Sequence, residues 1–199
     1  MLEANIEHAR EYLRQLRETI DRVDLEEINQ VFQKLRTARD RCSRIFVAGN
    51  GGSAATASHW VNDLGKATKR SGCDPFQVTC LSDNVPWLTA LGNDEGFDRV
   101  FSGQLENFAR SDDLLIVISA SGNSTNLVRA VELARSRGMK TIGLLGFDGG
   151  ILKEMVDDLV WIKSEKGQYE LVEDAHMIVC HVLTTWLIKD RRPVTVEQR

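Results

Sequence analysis

Ile45-Phe46-Val47-Ala48-Gly49-Asn50-Gly51-Gly52-Ser53 is an apolar run that ends in a small, polar, glycine-rich turn. About seventy residues on, Ile116-Val117-Ile118-Ser119-Ala120-Ser121-Gly122-Asn123-Ser124 repeats the design, with hydroxyls taking over from glycines. Each run reads as a strand covered on both faces, and each turn opens a helix. Such a turn can aim backbone N–H groups, hydroxyls and a helix N-terminus at an anion. Glycine and serine turns join strands to helices in most α/β proteins, so one alone says little. Two on one chain point to a phosphorylated small molecule. Neither turn ends in Gly-Lys-Ser/Thr, which disfavours a P-loop. Gly49-Asn50-Gly51-Gly52-Ser53-Ala54 also fits G-x-G-x-x-A, and Asp83 follows the second apolar run, so a dinucleotide fold is an alternative. In that scheme the hydroxyl-rich second turn has no role.

Outward from these turns the pattern alternates. Strands are predicted at 44–48, 76–81, 113–118, 140–145 and 158–162. Helices are predicted at 53–68, 84–109 with a break near Gly96, 124–137, a short one near 150–155, and 171–190. The alternation predicts an α/β protein with a doubly wound, five-stranded parallel sheet, and no linker divides it. Before it stand two amphipathic helices. The first carries Leu2, Ile6, Leu13, Leu16, Ile20 and Val23. The second starts at Asp24, with Glu27 placed to complete a capping box, and carries Ile28, Val31, Phe32 and Leu35. These two pack either on the sheet or on another subunit.

The 199 residues suffice for one sizeable core. A net charge of -4 offers no basic surface for nucleic acid, and no run of 18 apolar residues predicts a membrane span. Cys42, Cys73, Cys80 and Cys180 form no CxxC pair, and no secretion signal precedes them, so reduced thiols and a cytoplasmic location are expected.

Two helices carry chemistry. His59 and Asp63 are i and i+4 on the helix that the first turn launches, so they share a face. On the last helix, His181 sits among Cys180, Val182 and Leu183 and reads as buried, needing a hydrogen bond, a ligand or a reaction. Glu173 lies roughly 80° off alignment with it, and Asp174 is better aligned. Spacing leaves open which carboxylate serves His181. Two imidazoles and two carboxylates suit either a zinc site or an acid–base pair.

Gly49-Asn50-Gly51-Gly52-Ser53, Gly92-Asn93-Asp94, Ser119-Ala120-Ser121-Gly122-Asn123-Ser124 and the segment from Glu173 to His181 together resemble the sugar isomerase (SIS) domain family, more narrowly its phosphoheptose isomerases. The resemblance covers nearly the whole chain. It implies a single flavodoxin-like SIS domain over 1–199, with oligomerisation helices at 1–41 and the α/β core and last helix at 42–190. It further implies conversion of sedoheptulose 7-phosphate to a heptose 7-phosphate for lipopolysaccharide or capsule, in a homotetramer. By position, Ser53, Ser119, Ser121 and Ser124 would hold the phosphate. Asn50, Gly51, Gly52, Asp94, Ala120 and Glu173 would line the rest of the substrate site. Asp63 would be the base and His181 its acid partner. In zinc-containing members the ligands would map to His59, Asp63, Glu173 and His181. Asp63 stands where glutamate is usual, one methylene longer, and Glu173 where glutamine is common. Relatives that only bind partners, of the DnaA-binding type, lack the acid and the last-helix histidine, and they mark the non-catalytic alternative.

Overall fold

The computed structural model describes residues 2–69 and 74–190. Cys73 and the tail Arg191-Arg192-Pro193 lie outside the described residues.

Among the described residues, eight α-helices and five strands follow one another as α1 (Leu2–Asp21), α2 (Leu25–Asp40), β1 (Arg44–Gly49), α3 (Gly52–Asn62), β2 (Gln77–Cys80), α4 (Val85–Asp94), α5 (Ser102–Phe108), β3 (Leu114–Ser119), α6 (Thr125–Ser136), β4 (Lys140–Leu145), α7 (Gly150–Lys153), β5 (Asp158–Trp161) and α8 (Tyr169–Lys189). All pairings are parallel, in the order β2-β1-β3-β4-β5. The predicted break in the fourth helical segment falls at Gly96, whose φ of 103° only glycine adopts readily. A 3₁₀ turn, Phe97–Arg99, then leads to α5.

Strand alternation explains why both sheet faces are covered. In β1, Ile45 and Val47 face one layer while Phe46 and Ala48 face the other. In β3, Ile116 and Ile118 oppose Leu115 and Val117 in the same way. The first layer is built by α2, α3 and α8 through Phe32, Leu35, Trp60, Val179 and Leu183. The second is built by α4, α5 and α6 through Leu91, Leu105, Leu127 and Val131.

The two leading helices part company. Helix α2 buries Ile28, Val31, Phe32 and Leu35 on this chain's own sheet. Helix α1 leans on α8 and leaves Ile6 and Leu13 about half exposed, at 45% and 51%. Asp24 does cap α2, accepting a hydrogen bond from the Glu26 amide at 2.8 Å. The capping box is not completed. The Glu27 carboxylate instead accepts the Trp161 backbone N–H at 2.8 Å, far along the chain on edge strand β5. Lys34 adds an ion pair to Asp158 at 3.4 Å.

Helix α8 is apolar and long enough to cross a bilayer by composition, yet half of its apolar window is buried inside the protein. Its inward face carries Leu171, Val172, Ala175, His176, Val179, Cys180, Leu183, Thr184 and Leu187. Thr184 accepts the Trp60 indole N–H at 3.2 Å, which fixes α8 against α3. The buried histidine of α8 is therefore His176, at 1% exposure, and not His181. The His181 side chain is 50% exposed. The two lie five residues, roughly 140°, apart around the helix, so only one can face the sheet.

Neither ring nitrogen of His176 makes a well-formed hydrogen bond. Burial lowers its pKa to about 4, and the nearby Leu145 carbonyl offsets this only in part. Because the folded value lies below the ordinary 6.5, the unfolded chain binds this proton first. The stability that His176 contributes is present above pH 6.5 and is lost as the pH falls toward 4. Thermal melts across that window should lose about 3 kcal/mol for this group, and His176→Leu should flatten that part of the profile.

Candidate active site

Strand order places β1 beside β3 while their crossovers leave in opposite directions, so a crevice opens at their carboxyl ends. The crevice is a cavity of about 190 Å³ lined by Asn50, Ser53, Ile118, Ser119, Ala120, Ser121, Ser124, Leu127, Tyr169 and Glu173. Both turns quoted at the outset thus meet in one place, and the helices they launch, α3 and α6, point their N-termini at it. Partial positive charge from both helix starts favours an anion. Gly51, with φ of 54°, lets the chain turn into α3 with no side-chain cap. Ser124 begins α6, also without a capping bond from its hydroxyl. Ser124 lines the cavity.

The second turn is braced from within. The Ser119 hydroxyl accepts the Gly122 N–H at 3.0 Å, and the Asn123 amide N–H₂ donates to the Ser121 carbonyl at 2.8 Å. The Asn123 carbonyl oxygen accepts the Ile151 N–H at 3.0 Å, tying the turn to α7. At Gly122 a Cβ would overlap the Gly149 carbonyl, and φ is 63°, so only glycine fits.

Most of the expected substrate residues converge. Asn50, Ser53, Ser119, Ala120, Ser121, Ser124 and Glu173 line the cavity. Gly51 and Gly52 form the turn beneath it. The Glu173 carboxylate lies so close to Gly52 that a Cβ there would collide with both carboxylate oxygens. Burial, with Glu170 and Asp174 nearby, raises the Glu173 pKa above the usual carboxylate value. Asp94 is not brought in. It ends α4, is exposed, and accepts a hydrogen bond from the Asn93 amide at 2.7 Å. Asp174, the carboxylate better aligned with His181, is taken by α1, where it accepts the Tyr12 hydroxyl at 2.6 Å. Tyr169, which begins α8, belongs to none of the motifs quoted from the sequence. It forms one wall of the cavity and packs edge-to-face on Phe147 with ring centres 5.0 Å apart.

The second cluster lies further along α3 and α8. His59 Nε2 and His181 Nε2 are 3.2 Å apart. Asp63 Oδ2 lies 3.4 Å from the first and 3.8 Å from the second. Helix α3 widens into a π-helical turn, Asp63–Ala67, where the carboxylate sits, and such local widening is frequent at functional positions. Four-coordinate zinc with N and O ligands near 2.0–2.2 Å requires donors about 3.3–3.6 Å from each other. The observed triangle of two imidazole nitrogens and one carboxylate oxygen, with sides of 3.2, 3.4 and 3.8 Å, comes within about 0.2 Å of that requirement. Glu173 is not part of it. Eight residues of helix separate it from His181, roughly 12 Å along the axis, and its carboxylate faces the cavity.

With this geometry in view, the relatives are informative. The SIS domain profile matches residues 10–146. A phosphoheptose isomerase from Syntrophotalea carbinolica is 37% identical over 183 residues, 90% of this chain and 91% of that protein. Another, from Nitratiruptor sp., is 43% identical over 141 residues, 70% of this chain and 73% of that protein. Among solved structures, a phosphoheptose isomerase from Neisseria gonorrhoeae superposes with a TM-score of 0.82 at 30% identity, covering 94% of this chain and 98% of that one. The chain belongs to the SIS domain family of phosphosugar proteins. Within that family it groups with the phosphoheptose isomerases.

Calorimetry with inorganic phosphate tests the cradle. Ser124→Ala should weaken binding about tenfold or more, the cost of one hydrogen bond to a charged group. Gly122→Ala should abolish binding and lower the melting temperature.

Proposed function

We propose that this chain is an aldose–ketose isomerase converting sedoheptulose 7-phosphate to D-glycero-D-manno-heptose 7-phosphate through an enediol. What carries the reading is that one chain of this family holds both a phosphate cradle and a separate cluster of two imidazoles and a carboxylate. A cradle alone grips; the cluster can move protons or hold a cation. The Asp63 carboxylate would take the proton from the carbon beside the carbonyl and return it to the neighbouring carbon. The His181 imidazole would carry the proton between the two oxygens, and His59 would orient Asp63. Gripping the phosphate fixes the reacting carbons, so binding energy spent far from the reaction supports it. Ser53, Ser119, Ser121 and Ser124 hold the phosphate in this reading, while Asn50 and Glu173 face the sugar chain.

His59, Asp63 and His181 would hold a zinc ion, which supplies Lewis-acid polarisation of the carbonyl and enediol oxygens. We read residues 1–199 as one SIS domain of a cytoplasmic homotetramer. The exposed Ile6 and Leu13 of α1 support an oligomer, and residues 1–41 supply its contacts.

Incubation with sedoheptulose 7-phosphate in deuterated water tests the reading. An isomerase labels the carbon beside the carbonyl, whereas a binding-only protein leaves it unlabelled. Asp63→Asn and His181→Ala should each cut turnover by about 10²-fold or more while the melting temperature holds. Near-normal activity in both would overturn these roles. For the metal, zinc added to chelator-treated protein should raise the melting temperature, and His59→Ala should remove that rise.

A further inference from the structure

Two side chains close the crevice from opposite sides. The Asn50 amide N–H₂ donates to the Asn126 carbonyl oxygen at 2.9 Å, and the Asn126 N–H₂ donates back to the Asn50 carbonyl oxygen at 2.9 Å. Asn50 follows β1 directly and lines the cavity, whereas Asn126 lies in the first turn of α6 and is 2% exposed. The reciprocal pair therefore bridges the two turns across the crevice, 76 residues apart in sequence.

A primary amide has two donors and a carbonyl with two acceptor positions. A reciprocal pair uses one of each from both partners. Turning one amide over alone would set oxygen against oxygen and nitrogen against nitrogen, so neither turns without the other. Asn126 is enclosed and cannot exchange its partner for water without leaving a buried polar group unsatisfied. Asn50 is consequently held with one N–H and one lone pair left over beside the cavity.

We propose that Asn126 is a positioning residue for sugar-phosphate recognition, acting through Asn50: it sets the orientation of that amide and clasps the two turns at a fixed spacing. The inference rests on the phosphosugar reading given above. Asn126 touches no ligand itself, so its effect must pass through Asn50.

A double-mutant cycle tests this. Asn50→Ala, Asn126→Leu, which keeps the branched shape and removes the hydrogen bonds, and the double variant are compared with wild type. Steady-state isomerisation of sedoheptulose 7-phosphate and calorimetry with inorganic phosphate are the readouts. Each single variant should raise KM about tenfold with a much smaller change in kcat, and the double variant should be no worse than Asn50→Ala alone. Multiplying effects, or an Asn126→Leu protein with wild-type KM, would overturn the proposal. If Asn126→Leu does not fold, Asn126→Ala is read in its place. Failure of both to fold would make Asn126 a requirement of the fold and overturn the positioning role. Wild-type protein without isomerase activity would count against the isomerase reading alone, and the cycle is then decided on phosphate binding.

Discussion

The pairing of β1 with β3 is the contact on which the rest of the structure depends. It sets Ala48 beside Val117 and Gly49 beside Ile118, so both strands end at the same level. Because the chain leaves β1 toward one edge of the sheet and arrives at β3 on the other side, no helix can cover the gap between their ends. The first turns of α3 and α6 are brought side by side there. A one-step slip in that register would move every side chain of one strand to the opposite face. Both faces of β3 are packed against helices, so such a slip would have to repack both layers, and the core thus also fixes the site.

From that crevice the site extends along two helices running together. Helix α3 passes from Ser53 to Asp63, and α8 passes from Glu173 to His181. The buried Trp60–Thr184 hydrogen bond holds them in step. Ser53 of the cavity at one end and the cluster of His59, Asp63 and His181 at the other are thus mounted on one pair of helices. Neither is carried on a long loop, and this limits the freedom that would otherwise be lost on binding.

Much of this was legible from local pattern. The strands announce themselves because each is a continuous apolar run between polar turns, as covering both faces requires. His59 and Asp63 share a face by spacing alone. What depends on contacts distant in sequence was not legible. His176 and His181 sit in equally apolar surroundings, and only the seating of α8 against β4 decides which is buried. Glu27 has the spacing of a capping residue and satisfies Trp161 instead. Asn126 reads as an ordinary helix-start residue until Asn50 is placed opposite it. The resemblance implies four ligands on one ion; within one chain the axial rise of α8 sets Glu173 apart from the cluster of His59, Asp63 and His181.

Strand β5 closes one side of the sheet, and its outward backbone groups would ordinarily be free to pair with any extended segment they met. Here the Glu27 carboxylate takes the Trp161 N–H and Lys34 reaches Asp158, both from α2. The leading helices, through α2, therefore shield the sheet as well as cover its core. Removing them would leave a sticky margin in place of a smaller domain. The α/β unit without them would present to solvent both that edge and the apolar sheet face that α2 covers.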